Sequence, residues 1–178
     1  MRRSVWLMLL AVTALLVCMG QTCSPSTPAG VPTSVPEGVY SGQVSTTIRL
    51  LLDNELKNEK TSTDDYTQAF GSDGSPLNNQ QSPLYVGYTD VQTVGGMTLT
   101  ITITSIQPTA NGVTVNYTAV FELPTEDQVY EMTGTGQSTY TLASAGAVEY
   151  SMTLTVSFTG QNGSAVSMDL QATGTLYR

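Results

Sequence analysis

The chain has 178 residues, with 14 Asp and Glu against 6 Lys and Arg, a net charge of −8 and no histidine. That balance excludes a binder of nucleic-acid backbones, which needs clustered Lys and Arg. It also removes the commonest general base and metal ligand, so a Ser-His-Asp arrangement is impossible and zinc would have to rest on carboxylates alone.

Arg2 and Arg3 precede an apolar run from Val5 to Val17. The run is shorter than the roughly 20 residues of a spanning helix. It predicts a secretory signal over 1–22 instead. Met19-Gly20-Gln21-Thr22-Cys23, followed by Ser24-Pro25-Ser26, resembles a bacterial lipoprotein junction. The resemblance implies that Cys23 is the first mature residue and carries lipid on its thiol and amine. Such lipidation supplies the more than one chain that stable anchoring needs. The protein would then sit in the cell envelope, touching the membrane through its lipid anchor only. Cleavage after Gly20 would instead leave Cys23 a free thiol on a secreted protein. Residues 23–36 are rich in Pro, Ser and Thr, with prolines at 25, 28, 32 and 36. Such a tether favours extended polyproline II and reaches roughly 40 Å at about 3.1 Å per residue.

From 37 to 178 the chain reads as one domain. Apolar and polar residues alternate along Met97, Leu99, Ile101 and Ile103, then along Val113, Val115, Tyr117, Ala119 and Phe121. Val148, Tyr150, Met152, Leu154 and Val156 repeat the pattern, as do Val166, Met168, Leu170 and Ala172. Strand side chains alternate between faces, so each run has one buried and one wet side. The pattern predicts strands over 39–52, 84–94, 97–107, 113–123, 128–142, 147–159 and 164–177. Between them lie short turn signals such as Gly95-Gly96 and Asn111-Gly112, which suit antiparallel hairpins. The stretch 53–83 shows no such alternation. An eighth strand near 61–70 is one reading. A helical turn or two over 52–60, capped by Asp53, is another, with a loop over 71–83.

The fold class is therefore all-β, an antiparallel up-and-down meander of about eight strands in a closed or nearly closed barrel. Closure removes the exposed edges that long strands would otherwise present. A two-sheet β-sandwich, with a crossover connection, is the alternative. Gly38-Val39-Tyr40-Ser41-Gly42 opens the first long strand and Gly174-Thr175-Leu176-Tyr177-Arg178 closes the last. These segments are similar to those of lipocalin-like (calycin) barrels, in which an early Gly-x-Trp is stacked by a late basic residue. The resemblance implies that Tyr40 stands for the Trp and Arg178 for the base. It specifies no ligand.

Each candidate for chemistry has a plainer explanation. Asp64, Asp65 and Asp73 lack the spacing of a calcium loop. Glu122, Glu126, Asp127 and Glu131 surround one hairpin, and by alternation Glu122 and Glu131 face the wet side, unlike a buried glycosidase pair. Lys57, Lys60 and Ser62 do not form Ser-x-x-Lys. Gly134-Thr135-Gly136 is a lone GxG, which in a strand marks a bend or bulge. The residues assign no catalytic group, metal site or cofactor, and the reading is of a non-enzyme.

Methionine suits surfaces that receive varied apolar shapes. Met97, Met132, Met152 and Met168 fall on apolar faces, and Tyr88, Tyr117 and Tyr150 offer polar handles beside them. Those seven residues are the candidate lining of a ligand cavity, or else filling of an ordinary core. The expected function is an exported, lipid-anchored, monomeric domain that binds a small hydrophobic ligand or lipid. A non-catalytic structural or interaction module with a filled core is the alternative, and a void of roughly 300 Å³ or more would separate the two.

Overall fold

The computed structural model describes residues 35–94, 97–124, 129–144, 146–159 and 163–178. The expected signal segment, Cys18, Cys23 and the expected tether up to residue 34 lie outside these, as do Gly95-Gly96, Glu126, Asp127 and the side chains of Met97 and Tyr130. The elements are β1 (Gly38–Leu52), β2 (Glu55–Phe70), β3 (Thr89–Val94), β4 (Met97–Thr109), β5 (Gly112–Pro124), β6 (Val129–Ser144), β7 (Ala147–Thr159) and β8 (Ala165–Tyr177). They form one antiparallel sheet in the order β2-β1-β8-β7-β6-β5-β4-β3. A single sheet replaces the sandwich alternative. The last strand returns to the first, with Ser41 opposite Tyr177 and Leu52 opposite Val166. The sheet's two edges, β2 and β3, are not hydrogen-bonded to each other.

Alternation builds the strands. On β7, Val148, Tyr150, Met152, Leu154 and Val156 are buried while Glu149, Ser151, Thr153, Thr155 and Ser157 are exposed. The outer face is thus rich in Ser and Thr, unlike the apolar belt of a lipid-facing barrel. On β4 the alternation is interrupted between Ile103 and Ser105, where the register against β5 shifts. The extra residue lets Ile106 join Leu99, Ile101 and Ile103 on the inner side.

Two expectations are corrected. Residues 52–60 are not helical. Asp53 and Asn54 both take left-handed conformations, with φ of 52° and 65°. That is the backbone of a two-residue hairpin turn, which suits the right-handed twist of the strands it joins. Asp53 caps no helix, and its Oδ1 instead accepts a hydrogen bond from the Ala165 amide at 2.9 Å. The strand expected over 84–94 begins only at Thr89. Residues 84–88 instead belong to a long connection. In it Leu77 N donates to Ala69 O, Leu84 N to Pro76 O and Gly87 N to Ile103 O. The connection therefore reaches from β2 across to β4.

The sheet curls back on itself. Tyr66 of β2 stacks on Tyr150 of β7 with ring centroids 4.7 Å apart and planes 15° apart. β1 and β8 separate those two strands along the sheet, so only curvature brings their inner faces together. Val35 is 1% exposed and belongs to the core. Nearby, the Tyr40 hydroxyl donates to Pro36 O at 3.1 Å, and the rings of Tyr40, Phe70 and Tyr140 meet edge to face. Gly38 has φ of 150°, and a Cβ there would lie 2.7 Å from Arg178 Nε. The start of β1 and the residue that follows β8 are thus in contact. Burial raises the Tyr40 hydroxyl's pKa, and the nearby Arg178 charge partly opposes this.

Candidate functional site

The inner face of β6 is unusually small. Gly134, Gly136, Ser138 and Tyr140 share one parity there with buried Met132. A Cβ on Gly136 would run into the Tyr117 ring of the neighbouring β5. Gly136 therefore lets that ring lie flat over the β6 backbone. The register through 133–141 is unbroken on both sides, so this glycine marks a close approach and not a bulge.

Beside these small residues lies a cavity of about 130 Å³. β5 and β6 supply Tyr117, Phe121, Ser138 and Tyr140 to its wall, and β7 supplies Tyr150 and Met152. From the edges come Tyr66 and Gln68 of β2 and Asp90 of β3, with Asn78, Leu84 and Tyr88 from the connection between them. Both sheet edges therefore border it, at the unpaired seam between β2 and β3.

The polar groups are tied together. Gln68 Nε2 donates to Ala69 O at 2.8 Å and to Leu77 O at 2.9 Å. Both its amide protons are thereby committed, which leaves Oε1 as an acceptor. The hydroxyls of Tyr66 and Tyr140 each lie 3.2 Å from that oxygen and 2.9 Å from one another. Ser138 hydrogen-bonds with Tyr117 and Tyr150. Burial drives the hydroxyls of Tyr66, Tyr140 and Tyr150 well above the ordinary tyrosine pKa. Burial also pushes Tyr117 up to about 12, against a smaller opposing pull from Ser138. Tyr88 is raised by burial first and then by the Asp90 carboxylate. All five stay neutral at physiological pH and act as hydrogen-bonding phenols on apolar rings.

Of the residues expected to line a cavity, Met152, Tyr88, Tyr117 and Tyr150 do so. Met132 and Met168 are buried in the surrounding core. Tyr66, Gln68, Tyr140 and Asp90 were not anticipated. Tyr140 shares its parity with Met132, and Asp90 shares its parity with Tyr88, so the alternation rule reaches both. Tyr66 and Gln68 lie where alternation is absent.

The other candidate groups stay apart. Asp64 accepts from the Ser62 hydroxyl at 3.0 Å. Asp73 accepts from the Ser75 amide and hydroxyl, both at 2.9 Å, within one turn. Glu122 and Glu131 stand opposite each other on the exposed face. Among the described residues, no three His, Cys, Asp or Glu come together to hold a metal. The same residues include no helix long and apolar enough to cross a membrane. The chain matches no protein-family model, no curated protein and no solved structure.

Proposed function

We propose that this protein is an exported, lipid-anchored binding module, built as a lipocalin-like, nearly closed barrel that holds one small apolar ligand in its interior. The observation that carries the reading is the cavity of about 130 Å³ walled by aromatic and aliphatic side chains. An apolar cavity of about 150 Å³ in another protein stays dry and admits benzene, whereas sites for drug-sized ligands start near 300 Å³. The cavity falls short of the roughly 300 Å³ that would by itself separate binding from a filled core, and its volume suits a ring-sized or short-chain body in place of an extended acyl chain. Support for the barrel comes from the pairing of β1 with β8 and from the contact of Tyr66 with Tyr150 across the interior. Arg178 lying against Gly38, in charge contact with Tyr40, supports the lipocalin-like reading.

Toluene and a long-chain fatty acid titrated into the intact protein, with methyl NMR as the readout, test the reading. Toluene is expected to shift the Met152 methyl signal at the cavity wall, and the fatty acid to leave it in place. Absence of any shift with toluene overturns the binding reading and leaves the interaction module. That second reading has its own support. Tyr85, Val86 and Val91 are 60%, 63% and 59% exposed and near one another in the chain, and exposed apolar residues mark a partner surface where they form one contiguous patch.

A further inference from the structure

We infer that the cavity selects a small organic cation: an ammonium group on a body no larger than about one ring. The inference rests on the binding reading above and adds a charged group to the ligand's apolar body. Six of the described lining residues are aromatic, among them Tyr66, Tyr117 and Phe121. Aromatic faces carry negative potential and attract cations, most strongly where water is excluded. The described lining residues include one carboxylate, Asp90, and neither Lys nor Arg. Asp90 stands opposite Ile101 in the β3–β4 ladder, and both border the cavity.

Hydrogen-bond supply points the same way. Gln68 has spent both amide protons on backbone carbonyls and offers only its oxygen. Two phenol protons, from Tyr66 and Tyr140, serve three close contacts around that oxygen. Each hydroxyl brings one donor and two lone pairs, and a carboxylate brings acceptors only. Around Gln68 Oε1 acceptors outnumber the two phenol protons, while Asn78 and Asn79 bring amide donors elsewhere on the wall. An ammonium group brings N–H donors and no acceptor, the complement of that acceptor cluster. A carboxylate ligand would meet Asp90 with like charge. Two charged side chains of β2 also need weighing. Lys60 and Asp64 share the inward parity of Tyr66, but both fall outside the cavity wall. They stand further along the strand, and they leave the charge at the wall to Asp90. The chain's net charge of −8 adds a field that draws cations toward the seam.

Benzylammonium, benzyl alcohol and benzoate share one ring and differ in charge. Each is titrated into the intact protein and into its Asp90→Asn variant, by calorimetry and methyl NMR. Benzylammonium is expected to bind about tenfold or more tighter than benzyl alcohol, and benzoate weakest. In Asp90→Asn the advantage of the cation over benzyl alcohol should fall to within about threefold. A native circular-dichroism spectrum and thermal midpoint show that the variant is folded. Equal or tighter binding of the alcohol or benzoate by the native protein overturns the charge inference and leaves the cavity reading standing. Failure of all three compounds to bind overturns the cavity reading itself. A cation advantage that survives Asp90→Asn removes Asp90 from the inference.

Discussion

At position 136 a hydrogen in place of a side chain leaves the space that the Tyr117 ring fills. Added volume in a close-packed interior forces side chains off their rotamers or moves backbone, at a cost of about 1–3 kcal/mol. Gly136→Ala should therefore lower stability by about 1–3 kcal/mol in denaturant titrations, and it should weaken toluene binding because Tyr117 walls the cavity. An unchanged unfolding midpoint would show that the ring moves aside freely. The same residues show how far single positions were legible. Tyr117, Tyr150 and Met152 announce themselves because each sits in an unbroken alternation. The role of Gly136 did not, because what it accommodates is a ring on another strand. Tyr66 is hidden for a related reason, since the rings it meets, Tyr140 and Tyr150, are remote in the chain.

β2 carries the lesson at the scale of elements. Its inward positions read Asn58, Lys60, Ser62 and Asp64 before they reach Tyr66, Gln68 and Phe70. Polar and charged residues on the inner side erase the period-two signal over half the strand. They are tolerated because β2 is an edge, and inward-pointing charge on an edge discourages pairing with another chain. β4 shows a smaller slip, as Ile103 and Ile106 are three apart and only the register shift puts both inside. The hairpin before β2 admits two readings in the sequence because Asp53 suits a helix cap as well as a left-handed turn. Asn54→Val, which places a β-branched residue at φ of 65°, should cost about 1–2 kcal/mol, read as a lower thermal midpoint. Unchanged stability would mean that the turn relaxes into another form. On the wet side, Glu122 and Glu131 stand directly opposite on β5 and β6, both exposed. Like charges in that relation repel, and opposite ones attract by a few tenths to about 1 kcal/mol. Glu131→Lys should stabilise the protein by about 0.5 kcal/mol at low salt, and the gain should shrink as salt screens the pair. A salt-independent change would locate the effect elsewhere.

The whole molecule is held by a single curled sheet whose interior contains four tyrosines that burial keeps protonated, Tyr66, Tyr117, Tyr140 and Tyr150. That interior sets an upper pH limit on the fold. In the unfolded chain these phenols ionise near the ordinary value of about 10, while in the folded protein Tyr117 holds its proton to about 12. Between those values the unfolded state binds fewer protons than the native state. Stability must then fall with rising pH, being intact below about 10 and lost progressively toward 12. For Tyr117 alone the loss is about 2–3 kcal/mol, and the other three, raised by the same burial, add to it. Phenolate absorbance from Tyr66, Tyr117, Tyr140 and Tyr150 should therefore appear in a base titration only as the circular-dichroism signal of the strands collapses. Tyr117→Phe sharpens the test, because the Tyr117 hydroxyl gives up only a long 3.5 Å contact to Thr153 O and its hydrogen bond with Ser138. The variant should match the native protein to within about 1 kcal/mol at neutral pH, yet unfold at a higher pH. Ionisation of these four tyrosines with the strand signal intact throughout would mean that water already reaches the interior of the folded protein.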